Sequence, residues 1–206
     1  MILKNIEKLF KIKLRRHKIT YYINPILTER EKDLIRGTVL GGSTIIKPKG
    51  GKNCYLSMRS KFGAWLDYKA NELRGLSSQE PMTIEKTNRW HSLCYPIFND
   101  LHKMFWQDKE RIIKQEIFDK LSFYALMIWF GDTGTYKGGF VQFNTHIWGE
   151  DGTNQIVDYF NKVNYKSKVF LERKKFRIKF DFDSSENFMK SISPHMPYFL
   201  AEQFSK

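Results

Sequence analysis

The sequence predicts an α+β protein made of two similar halves that pack together through a pair of helices. Two apolar, helix-like runs at residues 35–44 and 126–135 support this prediction. Each run carries small residues at the spacing that lets two helices approach closely, and each ends in glycine, serine or threonine residues, which favour helix termination. A hydrophobic fraction of 41% and an aromatic fraction of 16% are sufficient for a sizeable core in a chain of 206 residues.

The first half begins with a well-marked helix. Thr28 is a good N-cap, and Glu31 three residues later completes a capping box. Gly41 and Gly42 end this helix, because glycine readily adopts the conformation found at helix C-termini. Apolar periodicity and turn-rich segments predict the elements that follow. The predicted order is helix 29–40, strands 44–47 and 54–59, helix 62–73, strands 82–86 and 89–94, and helix 96–106.

The second half is predicted to repeat this order. Its elements are helix 118–132, strand 139–144, helix 153–161, a hairpin of strands 167–172 and 176–182, helix 184–192 and an irregular tail 194–206. The hairpin is expected to turn at Lys174 and Lys175, and the remaining strand of the repeat is marked only weakly, near residues 145–148. Residues 107–117 are charged but compatible with a helix, so we expect the two halves to share one core. The domain prediction is a basic extension 1–26, a first half 27–117 and a second half 118–206.

The charge balance predicts a polyanionic partner. The chain carries 35 lysines and arginines against 22 acids, a formal net charge of +13. Such an excess repels itself unless a polyanion neutralises it, so nucleic acid is favoured over an anionic membrane surface. No apolar run approaches the roughly 18 residues that a bilayer span requires. Cys54 and Cys94 lack the spacing of a zinc site or a disulfide framework, and the histidines show no ligand pattern, so no metal or cofactor is predicted from these residues.

The first twenty residues form a strongly basic segment. They contain seven lysines and arginines, among them Arg15 and Arg16, against one acid. An organelle-targeting helix, a membrane-surface helix and an arm that binds phosphates all fit this pattern, and we favour the arm. The abundance of lysine, asparagine, isoleucine and phenylalanine is typical of an AT-rich genome such as that of an organelle, so an organellar matrix, mitochondrial or other, is the expected location.

The two apolar runs and the C-terminal block resemble a known family. The runs read GTVLGGS at residues 37–43 and WFGDTG at residues 129–134, and the C-terminal block KKFRIKFDFDSSENFMKSISPHMPYFL spans residues 174–200. All three are similar to single-chain, two-repeat LAGLIDADG homing endonucleases, over about residues 27–206. The resemblance implies two pseudo-symmetric αββαββα halves with saddle-shaped antiparallel sheets and the helix pair at their interface.

The resemblance also implies where catalytic acids would stand. In this family an acid at the C-terminal end of each interface helix holds a divalent metal. Gly42 occupies the first of these positions and Thr133 the second, and neither is a carboxylate. The adjacent Asp132 lies about 100° further round a helix and is expected to cap a helix or form a salt bridge. We therefore predict no catalytic residue and no metal, with Mg²⁺ required only if the protein is an active endonuclease.

The strands provide the predicted binding surface. Alternation in strand 176–182 sends Arg177, Lys179 and Asp181 to the face opposite the aromatic residues, and a cationic two-stranded ribbon fits a nucleic-acid groove. In the first half Ser57 and Arg59 share a face with Tyr55, while either the pair Arg89 and His91 or the pair Trp90 and Ser92 is exposed. An ordinary solvated strand face is the alternative. The predicted nucleic-acid-binding residues are Lys47, Lys49, Lys52, Arg59, Arg89, Lys166, Lys168, Arg173, Lys174, Lys175, Arg177 and Lys179, with Arg15 and Arg16 in the extension.

Three functions are compatible with these features. The favoured hypothesis is a catalytically inactive, nucleic-acid-binding descendant of a homing endonuclease. It would bind structural RNA in a ribonucleoprotein, either as an organellar ribosome component or as an intron maturase, with RNA preferred over duplex DNA. Other proteins of such a particle are expected partners, whereas a membrane or a small-molecule substrate is not. The alternatives are an active site-specific DNA endonuclease or nickase, which would use Asp132, and a DNA-binding regulator. The tryptophans could stack on unpaired bases, although core packing is their commoner role.

Overall fold

The computed structural model describes residues 24–108 and 110–204. Most of the predicted basic extension at residues 1–26, including Arg15 and Arg16, lies outside the described residues. The first half contains helices α1 (Glu29–Leu40), α2 (Gly63–Glu72) and α3 (Ile97–Phe105), with strands β1 (Thr44–Ile46), β2 (Tyr55–Ser60), β3 (Met82–Ile84) and β4 (Thr87–His91). The strands form one antiparallel sheet in the order β1-β2-β4-β3.

A short connection leads to the second half. It consists of a small hairpin, β5 (Trp106–Gln107) and β6 (Glu110–Arg111), followed by the single-turn helix α4 (Gln115–Phe118). The second half contains helices α5 (Phe123–Thr133), α6 (Gly149–Lys162), α7 (Phe182–Ile192) and α8 (Tyr198–Phe204), with strands β7 (Gly134–Lys137), β8 (Phe140–Asn144), β9 (Ser167–Glu172) and β10 (Lys175–Phe180). Its sheet order, β7-β8-β10-β9, matches that of the first sheet, and the α+β fold class with two pseudo-symmetric halves is confirmed.

The central helix pair is formed by α1 and α5, as the small residues predict. A Cβ at Gly37 would collide with the carbonyl oxygen of Ala125, and one at Gly41 would lie 2.5 Å from Cβ of Asp132. The helices therefore approach too closely for any side chain at these two positions. The predicted capping box is also present, since Glu31 N–H donates to Oγ1 of Thr28 at 3.2 Å and Thr28 N–H donates to Oε2 of Glu31 at 2.8 Å.

One strand prediction is wrong. Residues 145–148 do not form a strand: His146–Trp148 is a turn of 3₁₀ helix, and the missing strand is β7, immediately after α5. The sequence GTYK is a weak strand signal because it is only four residues long and strand-favouring Thr135 and Tyr136 are flanked by glycine and lysine. Its strand conformation comes from pairing with β8, in which Gly134 lies opposite Phe143, and such a contact is not visible in a local pattern.

Three further bounds differ from the prediction. The helix predicted at 118–132 begins only at Phe123, because Oγ of Ser122 caps it by accepting a hydrogen bond from Ala125 N–H at 3.1 Å. The segment 107–117, predicted to be compatible with a helix, contains β6 and only one helical turn. The tail predicted to be irregular contains α8, which is held by buried Leu200 and by Phe204, whose ring lies 4.6 Å from that of Phe130. Most of the remaining bounds lie within a few residues of their predicted positions.

Each sheet buries one face against helices and leaves the other open. Leu56, Met58 and Trp90 of the first sheet and Phe143 and Ile178 of the second are buried in one continuous core. The strand residues between them alternate outward. Among the described residues, no helix combines the length and apolar character needed to cross a membrane.

Candidate nucleic-acid interface

The open face of the second sheet is rich in cations. In β10, Lys179 lies opposite Gln142 on one side and Lys168 on the other, and Arg177 lies opposite Asn144 and Phe170. Opposed residues of antiparallel strands point to the same side, so these side chains form two rows across the sheet. The full open face comprises Thr135, Lys137, Phe140, Gln142, Asn144, Lys168, Phe170, Glu172, Lys175, Arg177 and Lys179. The alternation predicted for β10 is confirmed, except that Asp181 lies beyond the strand and caps α7.

The open face of the first sheet carries a smaller set of polar and basic groups. Ser57 lies opposite His91, and Arg59 lies opposite Arg89. Trp90, on the other face, is only 3% exposed, so Arg89 and His91 are the pair that faces outward. The structure therefore decides between the two alternatives that the sequence left open.

Both open faces contain cations placed directly opposite each other. These are Arg59 with Arg89 in the first sheet and Lys168 with Lys179 in the second. Like charges at directly opposed positions destabilise a sheet, and a bound anion removes that cost. Nε of Arg89 and Nε of Arg177 are also buried and have no hydrogen-bond partner within the described residues.

The other predicted binding residues lie in the turns and at the strand ends that border these faces. Lys47, Lys49 and Lys52 are exposed between β1 and β2, and Lys166 is exposed just before β9. The β9–β10 turn lies one residue earlier than predicted, with Arg173 and Lys174 in the left-handed region at φ 49° and 63°. Arg177 also forms a salt bridge with Glu172.

The ends of the two central helices lie between the open faces. At the end of α1, Gly42 has a φ of +106°, which an L side chain rarely adopts. At the end of α5, the hydroxyl of Thr133 donates to the carbonyl oxygen of Trp129 in its own helix at 3.3 Å. Neither residue presents a carboxylate to a cation: glycine has no side chain, and the threonine hydroxyl is neutral.

Asp132 is held by three partners. Its Oδ1 accepts hydrogen bonds from Lys69 Nζ at 2.5 Å and from Trp65 Nε1 at 2.7 Å, and its Oδ2 accepts one from Thr38 Oγ1 at 2.9 Å. The Lys69 side chain is 0% exposed and that of Asp132 is 8% exposed. Lys69 Nζ also donates to Thr38 Oγ1 at 2.9 Å, which closes the network. The salt-bridging role expected for Asp132 is confirmed.

Sequence reasoning missed Lys69. The residue lies on the apolar face of α2, together with Trp65, Leu66, Ala70 and Leu73, at the 3.6-residue spacing of a buried stripe. A lysine in such a stripe needs a buried partner, because an unpaired buried charge is very costly. That signal was available in the sequence, but the identity of the partner was not.

A cavity of about 670 Å³ opens beside these helix ends. Gly42 and Asp132 line it from the helix pair, and Ser57, Arg59 and Lys61 line it from the first half. The only carboxylate in this lining is the one already paired with Lys69, whereas both cations lie on exposed residues. The cavity thus favours an anion.

Arg111 lies on the other side of the end of α1. Its Nη2 donates to Thr44 Oγ1 at 2.9 Å, and its guanidinium lies 5.1 Å and 5.4 Å from the ring centroids of Trp106 and Trp148. Burial lowers the pKa of Arg111 from its usual value. The indole N–H of Trp148 donates to the Leu40 carbonyl oxygen at 3.1 Å, so this tryptophan has a structural role. Trp65, Trp90 and Trp129 are likewise buried, and Trp106 is half-buried.

Comparison with known proteins decides the family. Residues 32–188 match the model of the LAGLIDADG DNA endonuclease family. The chain belongs to this family. It is 24% identical over 180 residues to the cytochrome b mRNA maturase bI2 of Debaryomyces hansenii, a match that covers 80% of this chain and 68% of the maturase.

Solved structures of other LAGLIDADG proteins share the fold. The homing endonuclease I-WcaI, bound to its DNA recognition sequence, superposes with a TM-score of 0.81 at 18% identity, over 87% of this chain and 88% of I-WcaI. I-DmoI in complex with DNA and Mn gives a TM-score of 0.53 at 10% identity, over 80% of this chain and 96% of I-DmoI. The resemblance stated from the two helical runs is confirmed.

The residues at the LAGLIDADG helix ends do not fit a divalent metal. Magnesium and calcium require several oxygen ligands, usually carboxylates. Here Gly42 offers no side-chain ligand and Thr133 offers only a neutral hydroxyl, which is hydrogen-bonded to its own helix. The carboxylate of Asp132 is paired with the ammonium group of Lys69. Nowhere within the described residues do three histidine, cysteine or acidic side chains come together in a way that could hold a metal ion.

Proposed function

We propose that this LAGLIDADG protein binds nucleic acid across its two open sheet faces and does not cleave it by the metal-dependent route of the family. The observation that carries this proposal is the combination of two cationic sheet faces with helix ends that lack a free carboxylate. The only acid there, Asp132, is neutralised internally by Lys69. An active DNA endonuclease or nickase would need that carboxylate to bind a metal instead.

The placement of charge supports the interpretation that the open sheet faces bind a polyanion rather than only face solvent. The opposed pairs Arg59–Arg89 and Lys168–Lys179 lower the stability of the free protein, and a bound phosphate backbone removes this cost. Each phosphate contact made by a lysine or arginine releases condensed counterions, so affinity is expected to fall steeply with salt. An ordinary solvated strand face would have no reason to place like charges directly opposite each other in both halves.

RNA is the partner that we propose, with a role like that of an intron maturase or a structural protein of an organellar ribonucleoprotein. The similarity to an mRNA maturase and the loss of free carboxylates support this choice. The net charge of +13 suits a large folded RNA, to which other proteins of the same particle would also bind. The organellar matrix remains the proposed location.

The first experiment measures binding alone. Purified protein is mixed with structured RNA and with duplex DNA at equal salt, and the affinity for each is measured at several salt concentrations. Arg59→Gln and Arg89→Gln should each weaken binding and reduce the magnitude of the salt slope by about 1. Lys190→Gln, which removes a cation from the outer face of α7, is the matched control and should leave the slope unchanged.

Cleavage is tested on plasmid and intron-containing substrates with Mg²⁺. We expect none. Double-strand cutting that Asp132→Asn abolishes would overturn the proposal. Isolation of the protein from its native cells with a discrete RNA or ribosomal particle would support the RNA assignment, whereas tighter binding to a single DNA site than to any RNA would contradict it.

A further inference from the structure

A second cavity, of about 330 Å³, lies at one end of the second sheet, away from the helix ends. Its lining combines three phenylalanines with three lysines and one acid, namely Phe140, Phe180, Phe182, Lys166, Lys168, Lys179 and Asp181. Phe180 is buried, so Phe182 is the aromatic side chain most open to solvent. Lys168 and Lys179 also belong to the open sheet face, so the cavity is continuous with the proposed binding surface.

The exposed aromatic ring in this cavity is fixed in place. Phe182 is the first residue of α7 and is 56% exposed. Its ring packs on Gly139, where a Cβ would lie 2.6 Å from Cε2 of Phe182 and where φ is +81°. The ring also meets Phe140 edge to face, with centroids 6.1 Å apart at an interplanar angle of 79°. A large apolar face is thus presented to solvent in a defined orientation.

Two of the three lysines around this ring are available for an anion. None of the three forms a salt bridge within the part of the chain that the structure describes, but Lys179 Nζ lies over the Phe140 ring, 3.8 Å from its centroid, so Lys166 and Lys168 are the ones that remain. The one acid is committed elsewhere, since Oδ1 of Asp181 accepts from Ser184 N–H at 2.8 Å and caps α7. The cavity therefore offers a stacking surface beside the ammonium groups of Lys166 and Lys168.

A nucleotide is the ligand that carries both complementary parts, a planar ring for stacking and a phosphate for the ammonium groups. Bases inside a duplex already stack on their neighbours, so only an unpaired base can reach an aromatic side chain. We propose that this cavity binds one unpaired nucleotide of the nucleic acid held on the sheet faces, with its base on Phe182 and a flanking phosphate at Lys166 and Lys168. This inference rests on the proposed function and makes it more specific, because it selects RNA with a bulge or loop over continuous duplex.

The test uses a short RNA duplex in which one unpaired 2-aminopurine is bulged out, with the fully paired duplex as reference. Stacking on an aromatic side chain strengthens binding by roughly 5- to 150-fold per base. We expect the bulged RNA to bind more tightly by a factor in this range and the 2-aminopurine fluorescence to fall on binding. Phe182→Leu, which keeps the apolar bulk but removes the ring, should abolish both effects and leave affinity for the paired duplex unchanged. Phe182→Tyr should retain them.

Phe123→Leu is the matched control, because Phe123 is also the first residue of a helix and is 48% exposed. It should behave like the original protein, and melting temperatures verify that each variant is folded. Equal affinity for bulged and paired RNA in the original protein would overturn this inference while leaving the proposed function intact. Failure to bind either RNA would overturn both. A DNA duplex with the same bulge, compared with the bulged RNA, shows whether the protein discriminates ribose from deoxyribose. Free adenosine monophosphate bound as tightly as the bulged RNA would overturn the assignment to a polynucleotide.

Discussion

Replacing Lys69 by methionine tests the internal neutralisation of Asp132. Methionine has similar length and fits an apolar stripe, so the variant removes the ammonium group with little change in packing. The carboxylate of Asp132 is then left 8% exposed with hydrogen bonds from Trp65 and Thr38 but no opposite charge. Breaking a buried pair in this way costs about 3–5 kcal/mol.

The expected result is a large fall in stability. For a chain of this size 1 kcal/mol corresponds to about 2–4 °C in melting temperature, so Lys69→Met should lower it by about 6–20 °C. Calorimetry or urea unfolding measures the loss. Adding Asp132→Asn removes the uncompensated charge while keeping an acceptor for Trp65, and the double variant should recover most of the stability.

The matched control is Lys190→Met. Lys190 is exposed and forms a surface pair with Glu186 four residues earlier in α7, so its replacement should cost less than about 1 kcal/mol. The reasoning is refuted if Lys69→Met is no more destabilising than Lys190→Met. It is equally refuted if Asp132→Asn adds its full separate cost to that of Lys69→Met, because that result would mean that the two residues are not coupled.

Three further predictions concern packing, pH and capping. Gly37→Ala places a methyl group against the Ala125 carbonyl oxygen, and the resulting separation of the central helices should cost about 1–3 kcal/mol in chemical unfolding. Burial, together with nearby cations, lowers the pKa of His146 from 6.5, so the folded protein binds fewer protons than the unfolded chain at mildly acidic pH. The contribution of neutral His146 to stability is therefore fully present above pH 6.5 and is lost as the pH falls through the lowered pKa of the folded protein. A bound polyanion should raise this pKa in an NMR titration. A pKa that does not change on binding would contradict the placement of nucleic acid near β10. Side-chain and backbone hydrogen bonds from Ser184 lower the pKa of Asp181. Asp181→Ala should thus cost about 1 kcal/mol at neutral pH, and the part of this cost that depends on the carboxylate charge should be lost as the pH falls through the pKa of the folded carboxyl group. A cost that is the same at neutral and acidic pH would contradict the stabilisation of the ionised form by Ser184.

The sequence predicted the features that depend on local periodicity. The small residues Gly37 and Gly41 marked the helix pair, and the alternation of β10 separated Arg177 and Lys179 from the buried aromatic residues. These patterns are informative because each element buries one face, and this burial determines which of its side chains point to the core and which point outward.

The features that depend on distant contacts were missed. The strand β7 is short and begins with Gly134, so its conformation is supplied by β8. The last helix is stabilised by packing of Leu200 and Phe204 against the central core. The ion pair of Lys69 with Asp132 joins residues 63 positions apart, and no local rule connects them.

The backbone at Gly42 has an evolutionary consequence. In a left-handed conformation with φ of +106°, an aspartate introduced by a single codon change would be strained before it could serve any purpose. Opposite it, Lys69 would still compete with any ion for the neighbouring carboxylate. A metal site built from carboxylates at both helix ends would therefore demand several coordinated changes, each harmful alone, and selection that acts on one substitution at a time cannot easily create it.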